Sequence, residues 1–423
     1  MDSPRKDDHI EFDAASGRAL SPPRQFFLEL TGRCNLCCVH CPVDYGTPEG
    51  KARGELPLAT VQKLLPWLRS ADSINLNIVG EPLIYSRFLD VLELLGPACE
   101  RTHFNTNGIA ITPALARELV RRRLGSIVIS VDGMESNAAV RGVPYDFVRA
   151  KVALLCAEKR AQGAEAPLVS VAYTLMARNL FELRPVLEDI AGLGIHAMHV
   201  QPLVVFYEGL RAENIYACHE VDAVLRECKA RAEDLGIEMV VFRSQWSTDE
   251  RNQRPEEVRV QLGPYSERFG CSDPFYEMKI LHTGEVQACS RGLLTGLNVN
   301  DLELDEIWNH AWYRNLRKRL YAKRFEDVCE RCPFQFGSLE NQVGPLRPGV
   351  HHSHEERLRA APRARSEGPT RRGASRRRPR RGGAAATMSP ACTPTPCDSA
   401  PVRICVSRSS GRHTGSVSPP AAS

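Results

Sequence analysis

The chain has 423 residues, 43% of them hydrophobic and 25% charged, which is enough for two domains and suits a soluble protein with a sizeable core. It contains no apolar run near the roughly 18 residues of a membrane helix, and its polar N-terminus lacks the apolar core of a signal peptide, so we expect a cytoplasmic protein without a membrane partner. The net charge of +4 combines +11 from residue 341 onward with −7 from the first 340 residues, and such an acidic body gives no reason to expect nucleic acid as a partner.

The polar segment 1–24 ends in Ser21-Pro22-Pro23-Arg24, and we interpret it as an N-terminal arm. It is too short to form a separate peptide-binding domain. Fifteen cysteines in the whole chain are many for a cytosolic protein. Their grouping into C-x3-C-x2-C and C-x2-C favours metal chemistry in a reducing compartment over disulfides.

A cysteine-rich loop directly follows an apolar run, Phe26–Leu30, that is typical of a buried strand. Cys34, Cys38 and Cys41 have the spacing C-x3-C-x2-C, whereas Cys37 falls outside it and is interpreted as a bystander. Three thiolates can hold three irons of a cubane iron–sulfur cluster and leave the fourth iron open to a small chelating molecule. The alternative is a structural zinc site that uses members of the same loop, namely Cys34, Cys37, Cys38 or His40.

The loop resembles that of radical S-adenosylmethionine (SAM) enzymes, in which three cysteines bind a [4Fe–4S] cluster and SAM chelates the open iron. His40 stands where that family usually carries an aromatic residue. The resemblance implies that the reduced cluster cleaves SAM to methionine and a 5′-deoxyadenosyl radical, which abstracts a hydrogen atom from a substrate carbon. It also implies a small-molecule or peptide substrate and a reductant of the flavodoxin or ferredoxin type.

Strand-like runs and helical patterns alternate from residue 25 to about residue 205. Six strands are predicted, at Phe26–Leu30, Ile74–Ile78, Thr102–Asn105, Ile127–Val131, Val169–Leu175 and Met198–Val200. Helices are predicted at Leu58–Leu68, Phe88–Leu95, Pro113–Arg123, Tyr145–Arg160 and Leu183–Leu193. Six such units predict a parallel sheet, doubly wound or barrel-like, that collects ligands at the C-terminal ends of its strands. The resemblance implies an α/β fold with a six-stranded partial (β/α)6 TIM barrel, to which we assign residues 25–240.

A polar motif follows the second predicted strand. Gly80, Glu81 and Pro82 resemble the family's GGEP element, with Val79 in place of its first glycine. The resemblance places backbone carbonyls and Glu81 near the amino group of SAM. The alternative is an ordinary Gly-Glu-Pro turn.

Polar residues also follow the third and fourth predicted strands. Asn105 and Asn107 lie in an N-T-N-G segment that resembles the family's TNG element, although alone it would only predict a turn. Strand alternation points Ser130 and Asp132 to one side. The resemblance places Ser130 near the SAM ribose or carboxylate and Asp132 at the rim of the site. Arg141 follows in a loop, where a surface salt bridge is the alternative role.

Further polar residues are predicted near the mouth of the barrel. The fifth and sixth strands end in pocket candidates, namely Tyr173, Thr174, Met176, Gln201 and Pro202. The general base is not identified, and the candidates are polar residues in this region, namely His199, Tyr207, Glu208 and Arg243. A helix is predicted at Val221–Leu235, and residues 241–267 are assigned to a connector.

A second cysteine set has the spacing C-x17-C, a long gap and C-x2-C, with the members Cys271, Cys289, Cys329 and Cys332. A hairpin turn is predicted at Thr283-Gly284, and helical periodicity precedes Cys329. Four thiolates ligate a cubane fully and leave no open iron, while a four-cysteine zinc site is the physical alternative. The arrangement resembles the SPASM/twitch extension of radical SAM enzymes, without the further cysteines of a second auxiliary cluster. We therefore expect one auxiliary [4Fe–4S] cluster in a small α+β domain at residues 268–340.

Residues 341–423 are rich in Arg, Pro, Ser, Ala and Gly and have few large apolar side chains, so they are predicted to be a disordered tail. A basic run such as Arg376–Arg381 could instead bind RNA or an acidic partner. The three tail cysteines are interpreted as free thiols, and they are Cys392, Cys397 and Cys405.

The two cysteine sets together predict a radical SAM oxidoreductase in which the auxiliary cluster accepts the second electron of an oxidation. The spacing of the second set resembles that of the twitch-type dehydrogenase of 2-deoxy-scyllo-inosamine. With the short N-terminal arm, this favours dehydrogenation of a sugar or aminocyclitol in natural-product biosynthesis. Two alternatives remain, a maturase that forms thioether or carbon–carbon crosslinks in a ribosomally made peptide, and a non-enzymatic α/β protein stabilised by zinc.

Overall fold

The computed structural model describes residues 9–215, 218–241, 265–266, 268–330, 332 and 343–347. The strands of these segments are β1 (Phe12–Asp13), β2 (Arg18–Ala19), β3 (Gln25–Leu28), β4 (Ser73–Asn75), β5 (Thr102–Thr106), β6 (Ser126–Ser130), β7 (Leu168–Leu175), β8 (Ala197–Pro202), β9 (Val205–Tyr207), β10 (Glu238–Val241), β11 (Tyr265–Ser266), β12 (Gly270–Cys271), β13 (Glu277–Ile280), β14 (Glu285–Gln287), β15 (Leu294–Asn298) and β16 (Val343–Arg347). The α-helices are α1 (Pro48–Lys51), α2 (Leu58–Ser70), α3 (Phe88–Leu95), α4 (Pro113–Arg121), α5 (Ser136–Arg141), α6 (Tyr145–Ala161), α7 (Leu183–Ala191), α8 (Val221–Asp234), α9 (Asp273–Tyr276), α10 (Leu304–Trp308), α11 (Ala311–Tyr321) and α12 (Asp327–Glu330).

A ten-stranded sheet forms the centre of the described structure, with its strands side by side in the order β10-β8-β7-β6-β5-β4-β3-β13-β14-β15. The strands from β10 to β13 in this order run parallel, and β14 and β15 continue the sheet in antiparallel pairing. The six predicted strands correspond to β3 through β8, and their ends differ from the prediction by at most three residues. The predicted α/β fold with successive βα units is therefore confirmed.

Two parallel strands extend the sheet beyond the six that the sequence predicted. β10 pairs with β8, with Glu238 beside Ala197, and it is short enough that its alternation did not stand out in the sequence. β13 pairs with β3, with Lys279 beside Phe27. The strand that leads into the first cysteine loop and the hairpin of the second cysteine region thus belong to one sheet.

The two faces of the parallel strands differ in polarity. One face is apolar and fully buried in the main core, with members such as Phe26, Ile74, Phe104, Ile129 and Val200. Alternate positions face the other side, and the strand register brings polar residues together there, namely Asn75, Asn105, Ser130, His199 and Gln201. These five side chains keep some exposure, so this face is the one on which a ligand can be bound.

Helix α4 shows how local sequence signals set the elements around the sheet. It begins at Pro113, and the hydroxyl of its N-cap Thr112 accepts a hydrogen bond from the Leu115 amide at 3.2 Å. Its buried side chains are spaced along one face of the helix and are Ala116, Leu119 and Val120. The helix therefore packs through an apolar stripe while its charged residues face outward.

Residues 9–24, the described part of the predicted arm, pack against α11. The Ala19 amide donates to Asn309 Oδ1 at 3.0 Å, and Arg314 Nε donates to the Ser16 carbonyl at 3.1 Å. The ring of Phe12 lies 5.0 Å from that of Phe275, measured between centroids. The arm is thus tied by hydrogen bonds and aromatic contacts to α9, Asn309 and α11, which all lie between Cys271 and Cys329.

Of the predicted tail, the structure describes residues 343–347, which form β16 and pair in parallel with β9. The rest of the tail lies outside the described residues, and the assignment of residues 341–423 to a disordered tail stays a prediction. Among the helices of the described segments, none combines the length and the apolar character required to cross a membrane.

Candidate functional site

The cluster loop, residues 31–41, leaves the sheet at the C-terminal end of β3. Its three predicted ligands, Cys34, Cys38 and Cys41, are partly buried, and the Cys41 amide donates to the Cys38 carbonyl at 3.2 Å. Burial, and then the neighbouring Cys38, raises the pKa of Cys34 well above its usual value and that of Cys41 to about 12. Such crowded thiols resist ionisation by themselves, and bound iron stabilises their thiolates. The donor set therefore fits an iron–sulfur cluster.

Gly80 holds the turn after β4 against the cluster loop. Its φ of +79° lies in the left-handed region, and a Cβ atom at this position would lie 2.1 Å from the Thr31 carbonyl oxygen. The next amide, that of Glu81, donates to the Arg33 carbonyl at 2.8 Å. A glycine is therefore required for this close contact, which fixes the start of the loop.

The Glu81 carboxylate connects this turn to the end of β5. It accepts hydrogen bonds from Thr106 Oγ1 at 2.6 Å, the Asn107 amide at 2.7 Å and the Leu83 amide at 3.1 Å. Burial raises the pKa of Glu81 to about 7, although these donors oppose the rise. The sequence analysis placed Glu81 beside the SAM amino group, whereas in the structure both carboxylate oxygens are engaged within the protein. Its role here is to position the turn.

Asn107 extends the same network to the cysteines. Its Nδ2 donates to Asn35 Oδ1 at 2.7 Å and lies 3.9 Å from Cys34 Sγ. The predicted neighbours Pro82 and Asn105 differ in exposure, since Pro82 is buried and the Asn105 side chain is exposed on the polar face. The structure thus brings the predicted Asn107 to the cluster loop and leaves Asn105 open to a ligand.

Arg141 lies in α5 and reaches the opposite side of the cluster loop. Its Nε forms an ion pair with Asp132 Oδ2 at 2.7 Å, and its Nη1 lies 4.0 Å from Cys38 Sγ. Although burial opposes it, the Asp132 carboxylate raises the pKa of Arg141. The sequence analysis placed Asp132 at the rim and considered a surface salt bridge for Arg141. Instead Asp132 is fully buried, and its Oδ1 accepts a hydrogen bond from the Thr174 amide at 2.8 Å.

His40 lies next to this ion pair, with its Nε2 3.8 Å from Asp132 Oδ2. Burial lowers the pKa of His40 to about 4, so the imidazole is neutral at physiological pH. Ser130 lies at the end of β6 on the polar face, two residues before Asp132. Around the first cysteine set, the structure therefore arranges a buried carboxylate, a guanidinium and exposed polar side chains.

The four cysteines of the second set line one cavity. They surround it together with residues that adjoin them, namely Asp273, Ser290, Arg291 and Leu293, and with Leu316 and Leu320 of α11. Among the residues that the structure describes, no three His, Cys, Asp or Glu side chains converge on the position of a single metal ion. A cubane is held by several thiolates around a shared space, and the four cysteines lie around one such space. The predicted ligands Cys271, Cys289, Cys329 and Cys332 are thus brought together.

A buried ion cluster, formed by Glu29, Arg53 and His282, connects the two cysteine regions. Glu29 Oε1 pairs with Arg53 Nη2 at 2.8 Å, and Glu29 Oε2 accepts from His282 Nδ1 at 2.5 Å and from the His282 amide at 3.0 Å. Arg53 Nε also donates to the Gly32 carbonyl of the cluster loop at 3.0 Å. The sequence analysis missed this cluster, whose one local signal is a glutamate at the end of an otherwise apolar strand.

The remaining candidates for pocket residues and for the general base differ in how exposed their side chains are. Tyr173 is fully buried and its hydroxyl donates to the Asn179 carbonyl at 2.8 Å, so its prediction as a pocket residue is wrong. Met176 is also fully buried, in a small apolar cluster. Glu208 is exposed and paired with Arg211 at 2.7 Å. Arg243 lies outside the described residues. Thr174, Pro202 and Tyr207 are buried, and of this set the side chains with exposure on the polar face are His199 and Gln201.

Comparison with protein families identifies the second cysteine region. Residues 271–333 match the SPASM family, an iron-sulfur cluster-binding domain. The matched segment contains all four cysteines that line the cavity. The predicted SPASM domain is therefore confirmed, and an auxiliary iron–sulfur cluster belongs to the cofactors of this chain.

Relatives among characterised proteins match different parts of the chain. The mycofactocin maturase MftC of Mycolicibacterium smegmatis is 34% identical over 128 residues, which are 30% of this chain and 32% of that protein. The chain thus spans about a third of the length of the maturases it matches. The AdoMet-dependent heme synthase of Methanosarcina barkeri is 23% identical over 322 residues, which are 73% of this chain and 88% of the synthase.

Solved structures share the fold over most of the chain. SuiB of Streptococcus suis bound to S-adenosylmethionine has a TM-score of 0.56 at 14% identity, covering 79% of this chain and 78% of SuiB. SuiB bound to its precursor peptide SuiA has a TM-score of 0.57 at 15% identity, covering 77% of each chain. At these identities the likeness extends to the fold and no further.

Proposed function

We propose that this chain, which is a radical SAM protein with a C-terminal SPASM domain, modifies a peptide by removing hydrogen from one of its carbon atoms. The product would carry a new thioether or carbon–carbon bond. The observation that carries the proposal is the 34% identity to a mycofactocin maturase over 128 residues. The similarity to SuiB, which has been solved with its precursor peptide SuiA bound, supports it.

Cys34, Cys38 and Cys41 hold the [4Fe–4S] cluster that binds SAM, and the four SPASM cysteines hold the auxiliary cluster. When bound, these groups supply a 5′-deoxyadenosyl radical that takes a hydrogen atom from the substrate and a site that takes up one electron. The chain itself positions the reacting groups. Glu81 and Asn107 support the cluster loop through one buried and one partly buried hydrogen bond.

The substrate binds on the polar face of the parallel strands. The side chains of Asn75, Asn105, Ser130, His199 and Gln201 lie on this face and keep some exposure. Amide, hydroxyl and imidazole groups can donate to and accept from a peptide backbone.

The parallel pairing of β3 with β13 supports the oxidative part of the proposal. Lys279 of β13 lies beside Phe27 of β3, so the sheet that carries the cluster loop also carries the strand next to the auxiliary cavity. A fixed spacing between the two sites favours transfer of one electron from the substrate to the auxiliary cluster. Net oxidation of the substrate by two electrons would follow.

Sugar or aminocyclitol dehydrogenation is the second candidate, and the observation that favours it is the four-cysteine spacing of the SPASM segment. The relatives named above favour the peptide. The two candidates share the chemistry of hydrogen abstraction and differ in substrate, so one experiment can separate them.

The test uses full-length protein purified without oxygen and reconstituted with iron and sulfide. It is incubated with SAM, dithionite and, in separate reactions, peptides encoded beside the gene or 2-deoxy-scyllo-inosamine. We expect mass spectrometry to show loss of two hydrogen atoms from a peptide, in proportion to the 5′-deoxyadenosine formed. Oxidation of the aminocyclitol with every peptide unchanged would contradict the proposal. The Cys38→Ala variant gives the background.

A further inference from the structure

Lys279 is a buried cation at the boundary between the barrel sheet and the auxiliary cavity. It is only 3% exposed, and its Nζ forms an ion pair with Glu277. The same Nζ lies 3.9 Å from Asp273 Oδ2 and 4.2 Å from the centroid of the Phe27 ring. The cation is thus held by two buried carboxylates and an aromatic face.

Asp273 connects this group of buried charges with the wall of the auxiliary cavity. It lines the cavity, and its Oδ2 lies 3.3 Å from the donating Ser290 amide and 3.4 Å from the Ser290 hydroxyl. Ser290 directly follows the ligand Cys289. Burial raises the pKa of Cys289, and the positive charge of Lys279 opposes this rise. A buried positive and a buried negative charge therefore both lie close to the position of the cluster.

Packing does not account for these charges. Desolvation of a lysine and two carboxylates opposes folding, and a well-packed apolar set of similar volume is often as stable or more stable. A buried charge beside the cavity interacts with any other charged group held there. The reduction of a cubane with four thiolate ligands adds one negative charge to the cavity, and in a weakly screened site a fixed charge changes the free energy of that step.

We propose that Lys279 and Asp273 set the reduction potential of the auxiliary iron–sulfur cluster, Lys279 by raising it and Asp273 by lowering it. Both act through the cluster and are positioning residues. The inference rests on the proposed function in one respect, that the auxiliary cluster accepts an electron. In that step the substrate radical loses one electron, which reduces the cluster, and one proton, which leaves to water. An external one-electron carrier protein then reoxidises the cluster.

The test is a redox titration of the auxiliary cluster, followed by electron paramagnetic resonance, in the full-length chain. The Cys38→Ala background removes the signal of the first cluster. Lys279→Met is expected to lower the midpoint potential and Asp273→Asn to raise it, each by at least the equivalent of a tenfold change in the ratio of oxidised to reduced cluster, about 59 mV for one electron. Lys318→Met removes the same charge from the exposed side of α11 and is expected to leave the potential unchanged.

Shifts of opposite sign for Lys279→Met and Asp273→Asn would support the inference, because a general loss of packing would move both potentials in the same direction. Midpoint potentials that shift in the same direction in both variants, or that do not shift, would overturn it. If Lys279→Met does not fold, the direction of the Asp273→Asn shift decides. The potential is measured without substrate, so a failed peptide reaction together with opposite shifts would contradict the proposed function and leave this inference standing.

Discussion

The cluster loop and the auxiliary cavity differ in how the chain brings their cysteines together. The first set comes from one loop, is partly exposed and lies beside polar side chains that a ligand can reach. The second set comes from three separate places between Cys271 and Cys332 and lines a cavity whose apolar walls include Leu293, Leu316, Leu320 and Val328. An accessible site suits a cluster that must bind SAM, and an enclosed site suits a cluster that only exchanges electrons.

The difference also shows in what supports each site. Hydrogen bonds of Glu81 and Asn107, which follow neighbouring strands, and Arg141 of α5 beside Cys38 support the cluster loop. Packing of α11 and the buried charges of Lys279 and Asp273 surround the auxiliary cavity. Substitutions can therefore remove the function of one site and preserve that of the other.

The largest effect is expected at the cluster loop. Cys38→Ala removes a ligand of the SAM-binding cluster, so SAM cleavage should fall to background and iron should drop from about eight to about four per chain. Cys37→Ala, the matched control one residue away, should keep both. Iron analysis and chromatography of 5′-deoxyadenosine measure the result, and loss of cleavage in Cys37→Ala alone would show that the ligands are assigned incorrectly.

A more selective effect is expected at the auxiliary cavity. Cys289→Ala should lower iron by about half and abolish product formation, since the substrate radical loses its electron acceptor. SAM cleavage should continue, because the ligands of the first cluster are untouched. The ratio of 5′-deoxyadenosine to product measures this uncoupling. Normal product yield in Cys289→Ala would exclude the auxiliary site as the electron acceptor.

The buried contact between the two regions provides a smaller effect. His282→Ala removes the hydrogen bond between the imidazole and the Glu29 carboxylate and keeps the bond from the backbone amide. The loss should cost about 1–3 kcal/mol in the free energy of unfolding. Urea titration of the reconstituted protein measures the cost, with His219→Ala, an exposed histidine, as the control. A cost no larger than that of the control would show that the buried ion cluster does not join the regions.

Glu81 provides an effect on stability that depends on pH. Its pKa of about 7 in the folded chain lies above the usual 4.5, so its contribution to stability is fully present below pH 4.5 and is lost as the pH rises through 7. The loss amounts to about 3 kcal/mol at most. In Glu81→Gln the group cannot titrate, so its stability relative to the wild type should improve from pH 4.5 to 8. Urea titrations of the cluster-free protein test this, with the exposed Glu165→Gln as control. A constant difference would contradict the raised pKa.

The barrel strands and the first ligand set could be predicted because their signals are local. C-x3-C-x2-C lies within one loop, and hydrophobic runs mark β3 through β8. The pairing of β13 with β3 could not be predicted, because the two strands are far apart in sequence. The hydrophobic pattern of each strand is compatible with pairing to many other strands. β10 was missed because four residues are too few for a period.

The roles of the polar residues were harder to predict than their presence in the site. Glu81 and Asp132 both lie near the cluster loop, but their carboxylates are buried and bound within the protein. Lys279 gave a weak local signal, since it alternates with apolar residues in the run Glu277–Ile280. What such a side chain contacts depends on distant segments, here Phe27 and Asp273, and sequence spacing does not encode that.

The central claim, two cysteine sites of which one binds SAM, is tested most directly by electron paramagnetic resonance of the dithionite-reduced full-length protein with and without SAM. We predict two cluster signals, and SAM should change the one that disappears in Cys38→Ala and leave unchanged the one that disappears in Cys289→Ala. A single signal in the wild type, or a change by SAM in the signal that Cys289→Ala removes, would contradict the account.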